Sequence, residues 1–373
     1  MKAGLTVNPA HLRQLFLNDT PFLDVRAEIE FDKGCFPNSF NLPIMNTEER
    51  HLVGTCYKQH GQERAIALGH HLVSGQLKQR RIDSWCEFVR NNPEAKLYCW
   101  RGGMRSNLTQ QWLQAAGVAI PLIPGGYKAL RHIVLAEIEA AAKAPLFIIA
   151  GKTGCAKTHL INALATGVDL ECFAQHRGSS FGRRVQQQPP SQVNFENSLA
   201  IDLIKKREAH KTKPLLFEDE SRMIGPASLP LTLWQGMCAA PMVVVDEPLA
   251  FRVQHILQEY VVELLAEHLA VDPVHGHDNY REQQLSSLFR IRKRLGSARY
   301  TQLVHIMTNA IDQQLNNNHV AGHEAWITEL LQNYYDPMYD YQLQSKQHRI
   351  VYSGDYQQVL AWGVKQVGLA NGQ

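Results

Sequence analysis

Short apolar runs alternate with longer amphipathic segments over the first two thirds of the chain. The runs are four to six residues long and bounded by polar or turn-forming residues, which predicts buried strands at 21–25, 95–100, 118–123, 145–150, 213–217 and 242–245. The spacing of apolar residues predicts helices at 106–116, 127–143 and 159–164. Strands that alternate with helices indicate parallel sheets, whose functional loops lie at the carboxyl ends of the strands.

The pattern becomes mainly helical from about residue 251 onward, with helices predicted at 261–269 and 324–331. The alanine-rich segment 127–143 looks like a connector between two folding units. A chain of 373 residues that is 45% hydrophobic has the material for two cores rather than one. We therefore predict an α/β fold with domains at 1–135 and 144–270 and a mainly helical part at 271–373.

Net charge, cysteine content and the length of the apolar runs limit the classes of protein to which the chain can belong. The formal net charge is only +3, which neither requires nor excludes a nucleic-acid partner. The seven cysteines are scattered without a CxxC pair, which favours reduced thiols over disulfides or a structural zinc site. The first residues lack an apolar signal core, and no apolar run reaches the roughly 20 residues that span a bilayer. These features predict a cytoplasmic protein that does not enter the membrane.

The first reactive centre is Cys99, which stands at the end of a predicted strand and just before a predicted helix. Two glycines let the following turn fold back toward the sulfur, and the helix start and two arginines supply positive charge. These supporting residues are Arg101, Gly102, Gly103 and Arg105. Such surroundings stabilise a thiolate, which can attack a sulfur or selenium donor. The other cysteines lack them, and only Cys56 is a weaker candidate for a second thiol.

The second centre is a phosphate-binding loop at 151–158 (GKTGCAKT), which follows a predicted strand and precedes a helix. In this context the backbone N–H groups wrap an anionic phosphate, with Lys157 on its outer oxygens and Thr158 available to Mg²⁺. The predicted phosphate-binding residues are Gly151, Gly154, Lys157 and Thr158. Ala156 occupies a position where the pattern has a second glycine, so the sequence predicts an anion site without deciding whether a nucleoside triphosphate binds.

Acidic residues follow two later strands and are candidates for the metal side of this loop. They are Glu218, Asp219, Glu220 and Asp246. Solvated acids at strand ends explain each of them nearly as well. The sequence therefore assigns no metal ligand with certainty, although Mg²⁺ remains a candidate.

Basic residues form two groups that can contact RNA phosphates or substrate. One group near the phosphate loop contains His176, Arg177, Arg183 and Arg184, and the densest basic cluster contains Arg290, Arg292, Lys293 and Arg294. A polar surface loop and a solvated helix face are the competing interpretations of the two groups.

The N-terminal part resembles a rhodanese domain. The resemblance rests on Leu23-Asp24-Val25-Arg26, Glu30-Phe31, Gly34 and Asn41-Leu42-Pro43, followed by the loop 99–106. In rhodaneses the corresponding loop carries sulfur as a cysteine persulfide. The resemblance implies that Asp24 and Arg26 support this loop, and it makes the predicted fold a rhodanese-like domain followed by a P-loop domain.

Further segments, in order along nearly the whole chain, resemble the tRNA 2-selenouridine synthase family. They are Val53–Lys58, His176–Gly182, Pro190–Gln192, Phe195–Asn197 and Glu218–Gly225. The resemblance implies a transferase that converts a wobble 2-thiouridine of tRNA to 2-selenouridine through a geranylated intermediate. It implies geranyl diphosphate and selenophosphate as substrates, no tightly bound cofactor, and Cys99 as the residue of the selenium step.

Two other functions fit the same two loops. One is a sulfurtransferase fused to a P-loop kinase or NTPase that acts on a small molecule, which requires nucleotide turnover and no affinity for tRNA. The other is a sulfur carrier whose P-loop senses nucleotide. The sequence leaves open which tRNAs are chosen, where a geranyl chain binds and what the oligomeric state is.

Overall fold

A computed structural model describes residues 8–185 and 188–370, and these fold into two compact units. The first unit contains residues up to Ala140 together with Ser191–Lys205, and the second contains Ala141–Pro190 and the residues from Lys206 onward. The first seven residues, which begin the predicted domain 1–135 and the segment without a signal core, lie outside the described residues. No helix among the described residues has the length and apolar character that crossing a membrane requires.

The first unit is built around a three-stranded parallel sheet. Its strands are β1 (Phe22–Asp24), β2 (Ser39–Asn41) and β3 (Lys96–Tyr98), in the order β2-β1-β3. The predicted strand at 118–123 is wrong in extent, because only an isolated bridge joins Leu122 to Leu97. Pro121 has no N–H to donate, which limits pairing at this edge.

The same stretch of chain also forms six helices. They are α1 (Pro9–Leu17), α2 (Glu28–Lys33), α3 (Thr47–Leu72), α4 (Gly75–Asn91), α5 (Met104–Ala115) and α6 (Gly126–Ala142). The core beside the sheet is apolar and includes the fully buried side chains of Trp85, Leu97 and Leu113. Helix α3 is bent at Gly61, whose φ of +83° and ψ of −177° are non-helical.

The second unit contains a five-stranded parallel sheet and a small hairpin. The sheet has the order β10-β9-β4-β6-β5, and its strands are β4 (Leu146–Gly151), β5 (Gly167–Val168), β6 (Leu215–Glu218), β9 (Met242–Val245) and β10 (Ile350–Gly354). The hairpin pairs β7 (Met223–Ile224) with β8 (Ala227–Ser228). Residues 271–370 are mainly helical but belong to the second unit, because β10 pairs with β9 at the edge of the phosphate-loop sheet.

The helices of the remaining chain surround this sheet and extend beyond it. They are α7 (Lys157–Ala163), α8 (Leu170–Ala174), α9 (Gln192–Ala209), α10 (Leu231–Ala239), α11 (Leu249–Leu257), α12 (Leu264–Val271), α13 (Gly276–Leu295), α14 (Ser297–Asn317), α15 (His323–Leu330), α16 (Asp336–Ser345) and α17 (Tyr356–Val367). A π-helical segment at Gln258–Glu263 precedes α12, and another at Leu331–Tyr335 precedes α16. The predicted helix at 261–269 thus begins inside a π-helical segment.

Most of α9 packs in the first unit, although it lies within the predicted domain 144–270. Asn197 is fully buried, and its amide nitrogen donates to the carbonyl oxygen of Cys35 at 2.6 Å. Its amide oxygen accepts from Arg131 at 2.5 Å, and Arg131 also forms an ion pair with Glu196. The N–H of Cys35 donates to Asn194 at 2.8 Å. Side chains far apart in sequence therefore complete the first unit.

The pairing of Asn197 generates a test of this arrangement. We expect Asn197→Ala to lower the free energy of unfolding of the first unit by about 2–3 kcal/mol, because the carbonyl oxygen of Cys35 and the half-buried guanidinium of Arg131 each lose a hydrogen-bond partner. Ser198→Ala, on the same turn of α9, is the matched control and should change stability by less than about 0.5 kcal/mol. Denaturant titration of the full chain measures both, and equal stabilities would contradict the assignment.

Candidate functional site

Cys99 follows β3 at the carboxyl edge of the first sheet and is almost fully buried. Its Sγ lies 3.2 Å from the Oγ of Ser106, in the first turn of α5. The hydroxyl of Ser106 is also 3.1 Å from the carbonyl oxygen of Gly103, so it is held at the helix start beside the sulfur. The predicted order of strand, cysteine, glycine turn and helix is present.

Two glycines let a second segment of chain approach the Cys99 loop closely. Gly102 has φ +64°, and a Cβ there would lie 2.9 Å from the carbonyl oxygen of Ile123. Gly126 has φ +57°, and a Cβ there would collide with the carbonyl oxygen of Cys99. The N–H of Tyr127 donates to that same oxygen at 2.9 Å. A Cβ on Gly103 would meet nothing within 4 Å, so only Gly102 of the predicted pair is required by packing.

A buried ion pair and two stacked aromatic rings support the Cys99 loop. Arg26 and Asp24 are both fully buried, and their closest contact is 2.6 Å between Nη2 and Oδ2. The guanidinium carbon of Arg26 lies 4.0 Å from the ring centre of Tyr127, which stacks on Trp100 with 5.2 Å between ring centres. Trp100 is the residue after Cys99, so Asp24 and Arg26 reach the loop through the two rings.

The two loop arginines have different partners. Arg105 forms a two-pronged ion pair with Glu30 at 2.6 and 3.1 Å, and Arg50 approaches the same carboxylate at 3.0 Å. Burial would raise the pKa of Glu30, but the hydrogen bond and charge of Arg105 hold it below its ordinary value. Arg101 is exposed, and it forms no ion pair within residues 8–185 and 188–370. Arg101 is therefore the more available cation beside Cys99.

The phosphate loop leads from β4 into α7, as its pattern predicts. Gly151 has φ +153° and would place a Cβ 2.5 Å from the carbonyl oxygen of Val245, and Gly154 has φ +84°. The Nζ of the half-buried Lys157 donates to the carbonyl oxygen of Gly151 at 3.0 Å. Burial acts to lower the pKa of Lys157, but the acidic groups around it, foremost Cys155, raise it above its ordinary value. Lys157 is thus a fixed cation inside the loop.

The backbone conformation of Ala156 explains why the phosphate-loop pattern has a glycine at this position. This residue caps α7 in the left-handed conformation, with φ +59° and ψ +34°. Glycine adopts that conformation freely, whereas an L-residue is strained there by about 1–2 kcal/mol. Ala156 keeps the loop geometry at the expense of some stability.

Helices α11 and α16 hold the phosphate loop in place. The nearly buried Arg252 of α11 forms a two-pronged ion pair with Asp336 of α16 at 2.7 and 2.8 Å. The same guanidinium lies 3.4 Å from the carbonyl oxygen of Thr153. Lys152 pairs with Asp340, one turn further along α16, at 2.8 Å. The loop is therefore fixed by side chains that the sequence pattern of the loop does not contain.

The carboxylates of three glutamates lie close together beside Lys157 and Thr158. The carboxylates of Glu171, Glu218 and Glu220 each offer an oxygen within 4.8 Å of the others, which is the spacing of a cation site. The hydroxyl of Thr158 donates to Glu171 at 3.3 Å. Glu218 is buried, and neither of its oxygens has a hydrogen-bond partner among the described residues. Such an unpaired buried carboxyl group is costly unless it takes a proton or a cation.

The pKa values of these glutamates reflect their shared burial. Burial, and then the charge of Glu220, raises the pKa of Glu171 to about 8. Burial raises the pKa of Glu220 to about 7, and burial followed by Glu171 raises that of Glu218 well above its ordinary value. A divalent cation would relieve this repulsion.

Sequence reasoning found only part of this cluster. Asp219 instead pairs with Lys346 at 2.9 Å, and Asp246 is exposed at the end of β9. Glu171 was missed, because it follows a strand of only two residues, β5, and no motif marks it. Its position after a strand beside β6 was the available signal.

The phosphate loop and the carboxylates line a cavity of about 570 Å³ in the second unit. Of the eight basic residues predicted to contact RNA or substrate, three also line it, namely Arg177, Arg184 and Arg294. The other five lie elsewhere. His176 and Arg183 pair through their backbones in an isolated antiparallel β-bridge. Arg290 donates to the carbonyl oxygen of Ser180, and Arg292 lies over the ring of Phe289. Lys293 is exposed.

An apolar crevice opens from the same cavity. It shares Thr153, Ser179, Tyr260 and Tyr335 with the phosphate cavity and is otherwise lined by aliphatic and aromatic side chains. Its volume of about 30 Å³ is small. Both π-helical segments contribute to its wall, and such segments are frequent at functional sites. The phosphate cavity therefore has an apolar wall on the side formed by the π-helical segments.

Comparison with known protein families covers both units. Residues 8–132 match the family model of the rhodanese-like domain, and residues 144–368 match that of the tRNA 2-selenouridine synthase AAA domain. The predicted combination of a rhodanese-like domain and a P-loop-like domain is thereby confirmed.

Curated relatives extend over nearly the whole chain. A protein of Photobacterium profundum is 48% identical over 94% of this chain and 96% of its own length, and is named tRNA 2-selenouridine synthase. Proteins with the same name from Pseudomonas fluorescens and Azotobacter vinelandii are 50% and 49% identical over 93% and 96% of this chain. They are covered over 95% and 97% of their own lengths.

The strained conformation of Ala156 generates the first prediction for this site. We expect Ala156→Gly to raise the free energy of unfolding of the second unit by about 0.5–1 kcal/mol, because relief of left-handed strain exceeds the backbone entropy lost with glycine. Ala165→Gly, outside helices and strands in the same unit, should not stabilise it. Thermal denaturation measures both, and a less stable Ala156→Gly variant would contradict the strain at this position.

The glutamate cluster generates a prediction about pH and divalent cations. Because their pKa values are raised in the folded state, these groups favour folding below their ordinary pKa of 4.5, and this contribution is lost as pH rises toward about 8. We expect Mg²⁺ to raise the melting temperature by several degrees at pH 8 and less at pH 6, where protons compete. Glu218→Gln should remove most of the Mg²⁺ effect and Glu282→Gln, an exposed control, none. A Mg²⁺ effect that is equal at both pH values would refute the assignment.

Proposed function

The chain belongs to the tRNA 2-selenouridine synthase family, and from this premise we propose that it replaces the sulfur of a wobble 2-thiouridine in tRNA by selenium. It is an enzyme of the transferase class. Family membership rests on relatives that match nearly the full length, so both units take part in the inference. An enzyme of this kind works where tRNA is modified, and the proposal therefore assigns the reaction to the cytoplasm.

The reaction proceeds in two steps under this proposal. The thiocarbonyl sulfur first attacks C1 of geranyl diphosphate, so that an S–C bond forms, a C–O bond breaks and diphosphate leaves. Selenium from selenophosphate then bonds to C2 of the base while the C2–S bond breaks and geranylthiol leaves with a proton. Hydrolysis of the Se–P bond releases phosphate. Alkylation comes first because an alkylated sulfur is a better leaving group than a thiocarbonyl sulfur.

The observation that carries this proposal is the phosphate cavity that opens into an apolar crevice. Lys157, the loop N–H groups and Thr158 suit a diphosphate, and the crevice beside Thr153 suits the first carbons of a prenyl chain. Because the crevice is small, its side chains must move apart to admit more of the chain. Mg²⁺ held by the glutamate cluster would neutralise the departing diphosphate. No nucleotide hydrolysis is needed, which agrees with alanine at position 156.

Cys99 is assigned to the selenium step. It is a nucleophilic sulfur at the carboxyl edge of the first sheet, with the exposed Arg101 two residues away to attract an anionic donor such as selenophosphate. The basic residues that do not line the phosphate cavity, above all Arg292 and Lys293, remain candidates for the tRNA backbone.

The two steps can be separated in cells that lack this protein. Wild-type chain should restore both geranylated 2-thiouridine and 2-selenouridine, measured by mass spectrometry of digested tRNA. Cys99→Ala should restore only the geranylated nucleoside, because the selenium step is lost. Lys157→Ala should lower both by about 10²-fold, because the diphosphate loses its charge partner.

The controls are exposed residues of the same types that do not line the phosphate cavity. Cys238→Ala replaces an exposed cysteine, and Lys143→Ala replaces an exposed lysine of the second unit. Neither should change the nucleoside profile by more than about twofold. If purified protein instead hydrolyses nucleoside triphosphates and leaves thiolated tRNA unchanged, the rival P-loop kinase or NTPase replaces this proposal.

A further inference from the structure

An apolar cavity of about 750 Å³ lies between α3 and α5 in the first unit. This cavity, termed here the α3–α5 groove, is within the size range of ligand-binding pockets. Its apolar lining includes Val53, Ala65, Ile66, Met104, Leu108 and Trp112. No residue of the phosphate loop or of the glutamate cluster lines it, so it is distinct from the cavity described above.

The bend of α3 shapes this groove. Residues from both arms of the helix line it, with Val53 and Gly54 before Gly61 and Ala65 and Ile66 after it. The φ and ψ of Gly61 fall in a region that is essentially restricted to glycine. The bend therefore depends on this glycine and brings both arms to one cavity.

The polar part of the groove is cationic. Arg50, Lys58 and Arg105 line it, and none of its lining residues is an aspartate or glutamate. Glu30 pairs with Arg50 and Arg105 from outside the lining. An apolar floor with a cationic rim suits an apolar group carried by a polyanion.

The groove and the Cys99 loop share the first turn of α5. Met104 and Arg105 line the groove and are the first residues of α5, and the following residue, Ser106, contacts the Sγ of Cys99 at 3.2 Å. The same turn of helix therefore borders the groove and holds the reactive sulfur.

We propose that the α3–α5 groove binds the geranyl chain of the S-geranylated base during the selenium step. This inference rests on the two-step reaction proposed above. The chain is attached through sulfur to the carbon that selenium attacks, so its first carbons must lie within a few ångströms of the place where Cys99 acts. Burial of the chain in the groove removes its apolar surface from water, and the cationic rim meets the RNA phosphates. As the Se–C bond forms and the C–S bond breaks, the groove retains the departing geranylthiol.

Gly54 provides a variant that fills the groove without a required change of fold. It is in a helical arm of α3, and a Cβ there would meet nothing within 4 Å. We expect Gly54→Phe to lower selenation of S-geranylated tRNA by at least about tenfold and to cause this intermediate to accumulate. Geranylation itself should proceed at the wild-type rate, because it depends on the phosphate loop.

Two controls make the test specific. Ala67→Phe places the same ring on an exposed position of α3 that does not line the groove, and it should behave as wild type. Selenation of a tRNA with S-methyl-2-thiouridine should be equally fast in wild type and Gly54→Phe, because a methyl group does not need the groove. A slow reaction of both substrates in Gly54→Phe would show damage to the Cys99 loop instead and overturn the proposal.

The experiment distinguishes an error in the proposed reaction from an error in the assignment of the groove. If wild-type protein does not selenate S-geranylated tRNA, the proposed reaction is wrong. If wild-type protein does so and Gly54→Phe does so at the same rate, the reaction stands and the groove is not the geranyl site. Circular dichroism and the melting temperature of Gly54→Phe establish that it is folded, and Ile66→Trp repeats the test from the other arm of α3.

Discussion

The turn from a parallel strand into a helix is the constraint on which both centres of this protein depend. At such a turn backbone groups must come closer together than side chains permit, and the chain meets this demand with glycine. A Cβ on Gly126 would strike the carbonyl oxygen of Cys99, and one on Gly151 would lie 2.5 Å from that of Val245. Because the glycines allow this approach, each unit presents its reactive group at the carboxyl edge of its sheet.

Burial of charge is the second theme, and it is handled differently in the two units. The first unit pairs Asp24 with Arg26, whose guanidinium lies against the aromatic rings at the Cys99 loop, although Nη1 of Arg26 has no hydrogen-bond partner among the described residues. The second unit leaves Glu218 without a hydrogen-bond partner among the described residues and groups it with Glu171 and Glu220. An ion pair of opposite charges stabilises geometry, whereas a cluster of like charges without a countercharge is suited to a cation. The Asp24–Arg26 pair is therefore suited to support the Cys99 loop, and the glutamate cluster is suited to bind a cation.

Helices that follow the sheets adapt the two units to apolar substrate. In the second unit α11 and α16 clamp the phosphate loop through Arg252 and Asp336, and the adjoining π-helical segments border an apolar crevice. In the first unit the bend of α3 at Gly61 opens an apolar groove next to α5. Both features place apolar surface beside cationic groups, an arrangement that the proposed prenylated RNA intermediate would use.

The sequence alone determined the local features of this protein: the Cys99 loop, the phosphate loop and the strands β1, β3, β4, β6 and β9. Those features are encoded by consecutive residues, so their spacing suffices to predict them. Only the tertiary structure brought Glu171 to Glu218, Asn197 to Cys35 and β10 to the edge beside β9, because these contacts join residues far apart in the chain. It also decided that Ala156 is left-handed and that Arg105 is held by Glu30, since conformation and pairing depend on neighbours that no local pattern names.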